Sequence, residues 1–135
     1  MTNGNEKNLA QYRIEQAREC LDVAIKTLDS SFKNSVNRSY YCIFHAMRAV
    51  LALDRFDSKK HTGIINEFRR KYIKPGVFPK HYSDILRKAF QIRNESDYED
   101  FYVVAVSEAR GQIDNAKEFL EAVEKYIAKY IAENP

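Results

Sequence analysis

The residues Arg93-Asn94-Glu95-Ser96-Asp97-Tyr98 combine a permanent cation, a carboxamide and, one helical turn after the cation, a carboxylate. Counting back through Ser96, Arg93, Ala89, Leu86 and Tyr82 gives steps of three and four residues, the mark of one helix face. Arg93 therefore stands where a core residue is expected. A guanidinium does not lose its charge, so an inward one needs partners. Asp97 lies at i+4 on the same face. Two readings fit this pattern: the local rule-breaking of a functional site, or an internal salt bridge that fixes one helix against another. Acid from Asp97 to Asp100 opposes the helix dipole at that end, so those side chains should have cationic partners, or the helix should end near Tyr98. On an earlier helix, Arg38, Tyr41, Cys42, His45 and Ala49 share a line. His45 reads either as a buried imidazole with a backbone or tyrosine partner, or as part of a polar working face. His61-Thr62-Gly63 opens a further helix, and its glycine suits a close backbone approach. His45, His61 and His81 lack the spacing of a zinc site, and no Walker loop, G-x-S-x-G or Cys-x-x-Cys is present, so no metal or cofactor is expected.

Helices must position these groups. Ala10, Ile14, Ala17, Leu21, Ala24 and Leu28 form a stripe that predicts a first helix from about Lys7 to Ser30. The second is expected from about Ser35 to Leu53, with Asn34 as its N-cap. Val36, Tyr40, Ile43, Met47 and Val50 form one of its apolar faces and Tyr41, Phe44 and Leu51 the next, so it should be the central helix. A short helix containing Ile64, Ile65, Phe68 and Tyr72 should end near Ile73, broken by Lys74-Pro75-Gly76. A fourth helix is expected over about Lys80 to Asp100. Phe101 to Val106 reads as an extended connector, and Ser107 as the cap of a fifth helix with Ala109, Ile113, Ala116, Leu120, Val123, Ile127 and Tyr130 as its seam. The sum is an all-α, up-and-down bundle of four long helices plus one short helix, expected as a single domain over 1–135 with its ordered core at about 7–131.

The totals agree. A chain of 135 residues with 44% hydrophobic and 30% charged residues suits one globular domain, and four Gly and three Pro leave little material for a turn-rich β fold. Two cysteines, Cys20 and Cys42, make no disulfide framework. No apolar run approaches the roughly 18 residues of a membrane span, and no signal peptide is evident, so a cytoplasmic protein away from membranes is expected. Charge is segregated. Residues 1–54 carry 7 Lys+Arg against 6 Asp+Glu, residues 55–93 carry 11 against 3, and residues 94–135 carry 4 against 10. The basic centre either neutralises the acidic C-terminal helix or faces a polyanion such as RNA.

Several segments together resemble one family. Arg38-Ser39-Tyr40-Tyr41-Cys42-Ile43-Phe44-His45-Ala46 is similar to the R-x-Y-Y-A-x-F-H-A core of small HEPN-domain proteins. His61-Thr62-Gly63 resembles the element that follows it, Arg93 to Tyr98 the R-x-x-x-D-Y signature of a prokaryotic branch, and Ala116 to Leu120 the closing A-x-x-F helix. The resemblance spans about residues 9 to 127. It implies an all-α bundle, a homodimer with two arginine motifs facing one cleft, and a protein that acts on or binds RNA. That activity includes the toxin-like, metal-independent ribonuclease of a pair with a nucleotidyltransferase antitoxin. It also implies the alternative of a non-catalytic nucleotide- or RNA-binding module. On that resemblance Arg93, Asp97 and His45 are the candidate catalytic residues, and Arg38, Tyr41, Asn94, Tyr98 and His61 the candidate substrate-binding ones. Tyr98 and Tyr102 are candidate modification sites. The ribonuclease signature places a histidine after four to six intervening residues, where this chain has Tyr98, Glu99 and Asp100.

Overall fold

The computed structural model describes residues 2–98 and 103–135, with backbone only for residues 2–4 and Tyr98. The described residues form an all-α bundle: α1 (Thr2–Lys26), α2 (Phe32–Ala52), α3 (His61–Phe68), α4 (Tyr82–Tyr98) and α5 (Val106–Glu133). The expected helical end at Glu99 and Asp100, the connector residues Phe101 and Tyr102, and the Tyr98 side chain lie outside the described residues.

α2 is the central helix. It packs on α1 most extensively, then on α5, α4 and α3. Its sequence explains this, because Val36, Tyr40, Ile43, Phe44, Met47, Val50 and Leu51 leave little of its circumference polar, and all are buried. On α1, Ala10, Ala17 and Ala24 are wholly buried, and their small side chains let the α2 backbone come close. Ser35 Oγ then donates to Ala24 O at 2.8 Å, tying the start of α2 to the end of α1. The expected seam of α5 is inward, with Ala109, Ile113, Ala116, Leu120, Val123 and Ile127 all buried.

Helix ends differ from expectation in instructive ways. α1 ends at Lys26 rather than Ser30, as the Thr27 hydroxyl turns back to donate to Val23 O at 2.7 Å. Ser31, not Asn34, caps α2. Ser31 is extended, with φ −160°, and its Oγ accepts from Asn34 N–H at 3.1 Å. Ser107 does not cap α5, which begins one residue earlier. Ala105 holds the cap position and has no side-chain acceptor, and Glu108 Oε1 reaches back to Ala105 N–H at 3.1 Å. α3 continues into a π-helical turn over Arg69–Ile73, closed by Lys74 N–H to Arg69 O five residues back. On that turn Tyr72 Oη donates to Asp54 Oδ2, and Lys71 Nζ pairs with Asp54 Oδ1 at 3.0 Å.

Candidate functional site

The site forms where α4 crosses α2, with the start of α3 closing one side. The α4 face counted from the sequence is inward: Tyr82, Leu86, Ala89 and Ser96 are buried, and the Arg93 side chain is 16% exposed. Its fork is held on three sides. Nε meets Asp97 Oδ2 at 3.0 Å, Nη2 donates to Tyr41 Oη at 3.2 Å, and Nη1 donates to Asn94 Oδ1 at 3.3 Å. The guanidinium carbon lies 5.4 Å from the Tyr40 ring centre and 5.6 Å from that of Tyr41, within cation–π range. Asn37 Nδ2 approaches Asp97 Oδ2 at 3.5 Å. Asp97 thus has the cationic partner that acid near a helix C-terminus calls for.

His61, brought in by α3, stacks on Phe44 with ring centres 4.2 Å apart and meets Tyr41 edge-on at 5.8 Å. Its Nδ1 shares a 2.7 Å hydrogen bond with Tyr40 Oη, which leaves Nε2 as the nitrogen able to reach a ligand. Burial pushes the His61 imidazole below its ordinary range, and the Arg93 and Arg48 charges push it the same way. Burial also pushes the Tyr40 phenol up, so it keeps its proton. Gly63 makes this placement possible, since a Cβ there would lie 2.3 Å from Ser58 Oγ.

His45 lies one turn along α2 from Tyr41, with their ring centres 6.0 Å apart. Tyr41 therefore stands between it and Arg93. Burial, then the charges of Arg48, Arg13, Arg38 and His61, lower its pKa to about 4. Arg38 is exposed at the rim, its guanidinium carbon 5.8 Å from the Tyr41 ring centre.

Of the sequence candidates, Arg93, Asp97, Asn94, Tyr41 and His61 are brought together. His45 and Arg38 flank them, and the Tyr98 side chain lies outside the described residues. Sequence reasoning missed Tyr40, the shelf under the guanidinium and the partner of His61, because its inward spacing marks it only as core. It also missed Asn37, although Asn37, Tyr41 and His45 step by four along α2. The two imidazoles are neutral at pH 7, one cation is fixed in direction, and aromatic faces adjoin them. Metal-independent RNA cleavage asks for such groups: a base for the 2′-hydroxyl proton and a cation for the charge that develops on phosphorus.

A family model described as the HEPN domain matches residues 10–126. The chain belongs to the HEPN domain family. Among relatives of this HEPN chain, a "UPF0332 protein" of Thermotoga maritima is 32% identical over 125 residues, covering 91% of this chain and 95% of its own length. Two proteins of Methanocaldococcus jannaschii, each named "Putative toxin", are similar at 27% identity (97% of this chain, 98% of the relative) and 26% identity (84% and 78%). None of the described helices is long and apolar enough to cross a membrane.

Among the described residues, the segregated charge of this HEPN chain is only partly neutralised internally. Between the basic centre and the acidic C-terminal part, Arg93 pairs with Asp97 among described residues, and His81 Nε2 meets Glu118 Oε2 at 2.9 Å. Lys59, Lys60, Lys74, Lys80 and Lys88 are exposed and pair with none of the described carboxylates.

Proposed function

We propose that this HEPN protein acts on single-stranded RNA at the Arg93 site as a toxin-type, metal-independent endoribonuclease. One observation carries the reading: a guanidinium fixed by Asp97, Tyr41 and Asn94 stands against Tyr40, whose hydroxyl holds a neutral His61. In this reading Arg93 steadies the phosphorane charge, and Asp97 and Asn94 orient it. His61 or His45 takes the 2′-hydroxyl proton, and Arg38 and Tyr41 bind the strand. The unneutralised lysines of the basic centre supply sequence-independent attraction to the backbone. The names of the archaeal relatives support a toxin-type role. A toxin calls for a neutralising partner, for which the family resemblance offers a nucleotidyltransferase. A homodimer of the 1–135 domain, acting in the cytoplasm, completes the reading.

The test is digestion of labelled single-stranded RNA in EDTA by the wild-type protein and by Arg93→Ala. Losing one fixed donor to a developing oxyanion costs about 10²- to 10³-fold in rate, and a loss of that order is expected. Equal cleavage by the two proteins, or neither cleavage nor binding, overturns the reading. A second reading, binding without cutting, is favoured by Tyr98, Glu99 and Asp100 standing where the ribonuclease signature has histidine. Salt-sensitive binding with no product selects it. Co-expression with a nucleotidyltransferase followed by sizing tests the partner, and elution as a lone monomer removes both the partner and the dimer.

A further inference from the structure

Arg38, Tyr41, His45 and Arg48 follow one another on α2 at steps of three, four and three, so they line one face over about 15 Å at 1.5 Å per residue. Arg93 joins this line at Tyr41. At the far end, Arg48 Nη2 meets Asp57 Oδ2 at 3.1 Å, and Arg13 Nη2 approaches the same oxygen at 3.5 Å. Arg13 Nη1 also donates to Arg48 O at 3.1 Å, and its side chain is only 8% exposed. Two guanidiniums therefore share one carboxylate oxygen, and the cluster keeps a net positive charge. Two groups three residues apart on this face of α2 have their needs unmet: Arg48 Nε and His45 Nδ1 are buried and have no hydrogen-bond partner among the described residues. Leaving buried polar atoms unpaired is costly, and proteins rarely tolerate it without a reason. Asp57 is well placed to leave, since it is 54% exposed on the α2–α3 loop and, among the described residues, its other oxygen is anchored only by Ser58 N–H at 2.8 Å.

The geometry points to a second phosphate subsite formed by Arg13, Arg48 and His45, with Asp57 as a resident counter-ion that an RNA phosphodiester displaces. It rests on the reading of the Arg93 site as one for RNA and extends that site along α2. A phosphodiester has two non-bridging oxygens where Asp57 offers one, so it meets both guanidiniums and reaches Arg48 Nε as well. The unbound protein keeps the arginines paired and in place, and the strand takes over a preorganised site.

The structural alternative, an ion pair that merely ties the loop to α1 and α2, predicts no tighter binding when the carboxylate is neutralised. Binding of a fluorescent 2′-O-methyl single strand, which cannot be cleaved, is measured by anisotropy over a salt series. The proteins are wild type, Asp57→Asn, Arg48→Gln and Arg93→Ala, each checked for folding by its melting curve. Asp57→Asn should bind several-fold more tightly, because the strand no longer has to displace a carboxylate from the two guanidiniums. Arg48→Gln should bind more weakly with a flatter slope. If Asp57→Asn binds no better than wild type while Arg93→Ala has lost binding, the subsite is wrong and the Arg93 reading stands. If none of the four proteins binds, both fall. Equal tightening of Asp57→Asn on poly-glutamate overturns an RNA-specific subsite in favour of a general anion patch. Should Asp57→Asn fail to fold, the His45 ring resonances of wild type decide: they should move when the strand is added, and an unmoved signal overturns the subsite.

Discussion

His45 should make the stability of this protein fall between neutral and mildly acidic pH, by an amount the structure allows us to state. Burial and the charges of Arg48, Arg13, Arg38 and His61 take its pKa from 6.5 to about 4 in the folded state. The unfolded chain takes up a proton near pH 6.5, and the folded chain resists until about pH 4. Between those values the unfolded state binds more protons, so folding stability rises with pH through that window and is lost as pH falls. Each pH unit of that gap is worth about 1.4 kcal/mol, and the whole gap about 3.4 kcal/mol. His45 is only partly buried, and solvent screening brings the expectation to about 2 kcal/mol. The perturbation is His45→Gln, which keeps a polar group of similar size but does not titrate. The assay is urea unfolding of both proteins, followed by circular dichroism, at steps from pH 7 to pH 4. Wild type should lose about 2 kcal/mol more than His45→Gln over that range. Carboxylates with depressed pKa values, such as Asp57 and Glu67, contribute to both curves and cancel in the difference. Parallel curves would refute the account of His45 as an imidazole kept neutral by its surroundings.

Other perturbations give sharper local tests. Gly63→Ala should destabilise by about 1–3 kcal/mol, as its Cβ would lie 2.3 Å from Ser58 Oγ, and Ser58→Gly should restore most of the loss in a double-mutant cycle read by denaturant midpoints. Phe119→Ala should cost about 3–5 kcal/mol in the same assay, because the ring is wholly buried among Phe68 and Tyr82. Tyr41→Phe removes the hydroxyl that accepts from Arg93 Nη2; a stability loss of about 1 kcal/mol is expected, together with weaker RNA binding by anisotropy.

The sequence made the helices legible because their faces are dense and regular. The inward line through Leu86, Ala89, Arg93 and Ser96 and the seam of α5 both follow from spacing, and both turn inward, with Arg93 half-buried at the end of its line. The pairing of Arg93 with Asp97 was legible for the same reason, being a contact within one turn. What spacing does not carry is contact across a loop. Tyr40 and His61 are 21 residues apart, and no period connects them. Arg13 is a sharper case. It sits beside the apolar stripe of α1, and it takes Arg48 O, 35 residues away, and Asp57, 44 residues away, to explain why a guanidinium is buried there. Helix ends were misread where several capping residues compete. In Ser30-Ser31-Phe32-Lys33-Asn34 three side chains could serve, and the extended backbone of Ser31 decides.

On an ordinary helix two adjacent side chains diverge by about 100°. Lys71 and Tyr72 are adjacent, yet both grip the single carboxylate of Asp54. Both lie on the widened Arg69–Ile73 coil, where more residues per turn narrow that divergence. A one-residue deletion in that coil would leave a sound helix behind it, but Asp54 would have to choose between an ammonium and a phenol. The spare residue is thus a geometric shim, and its value lies in the clasp it permits rather than in any side chain of its own.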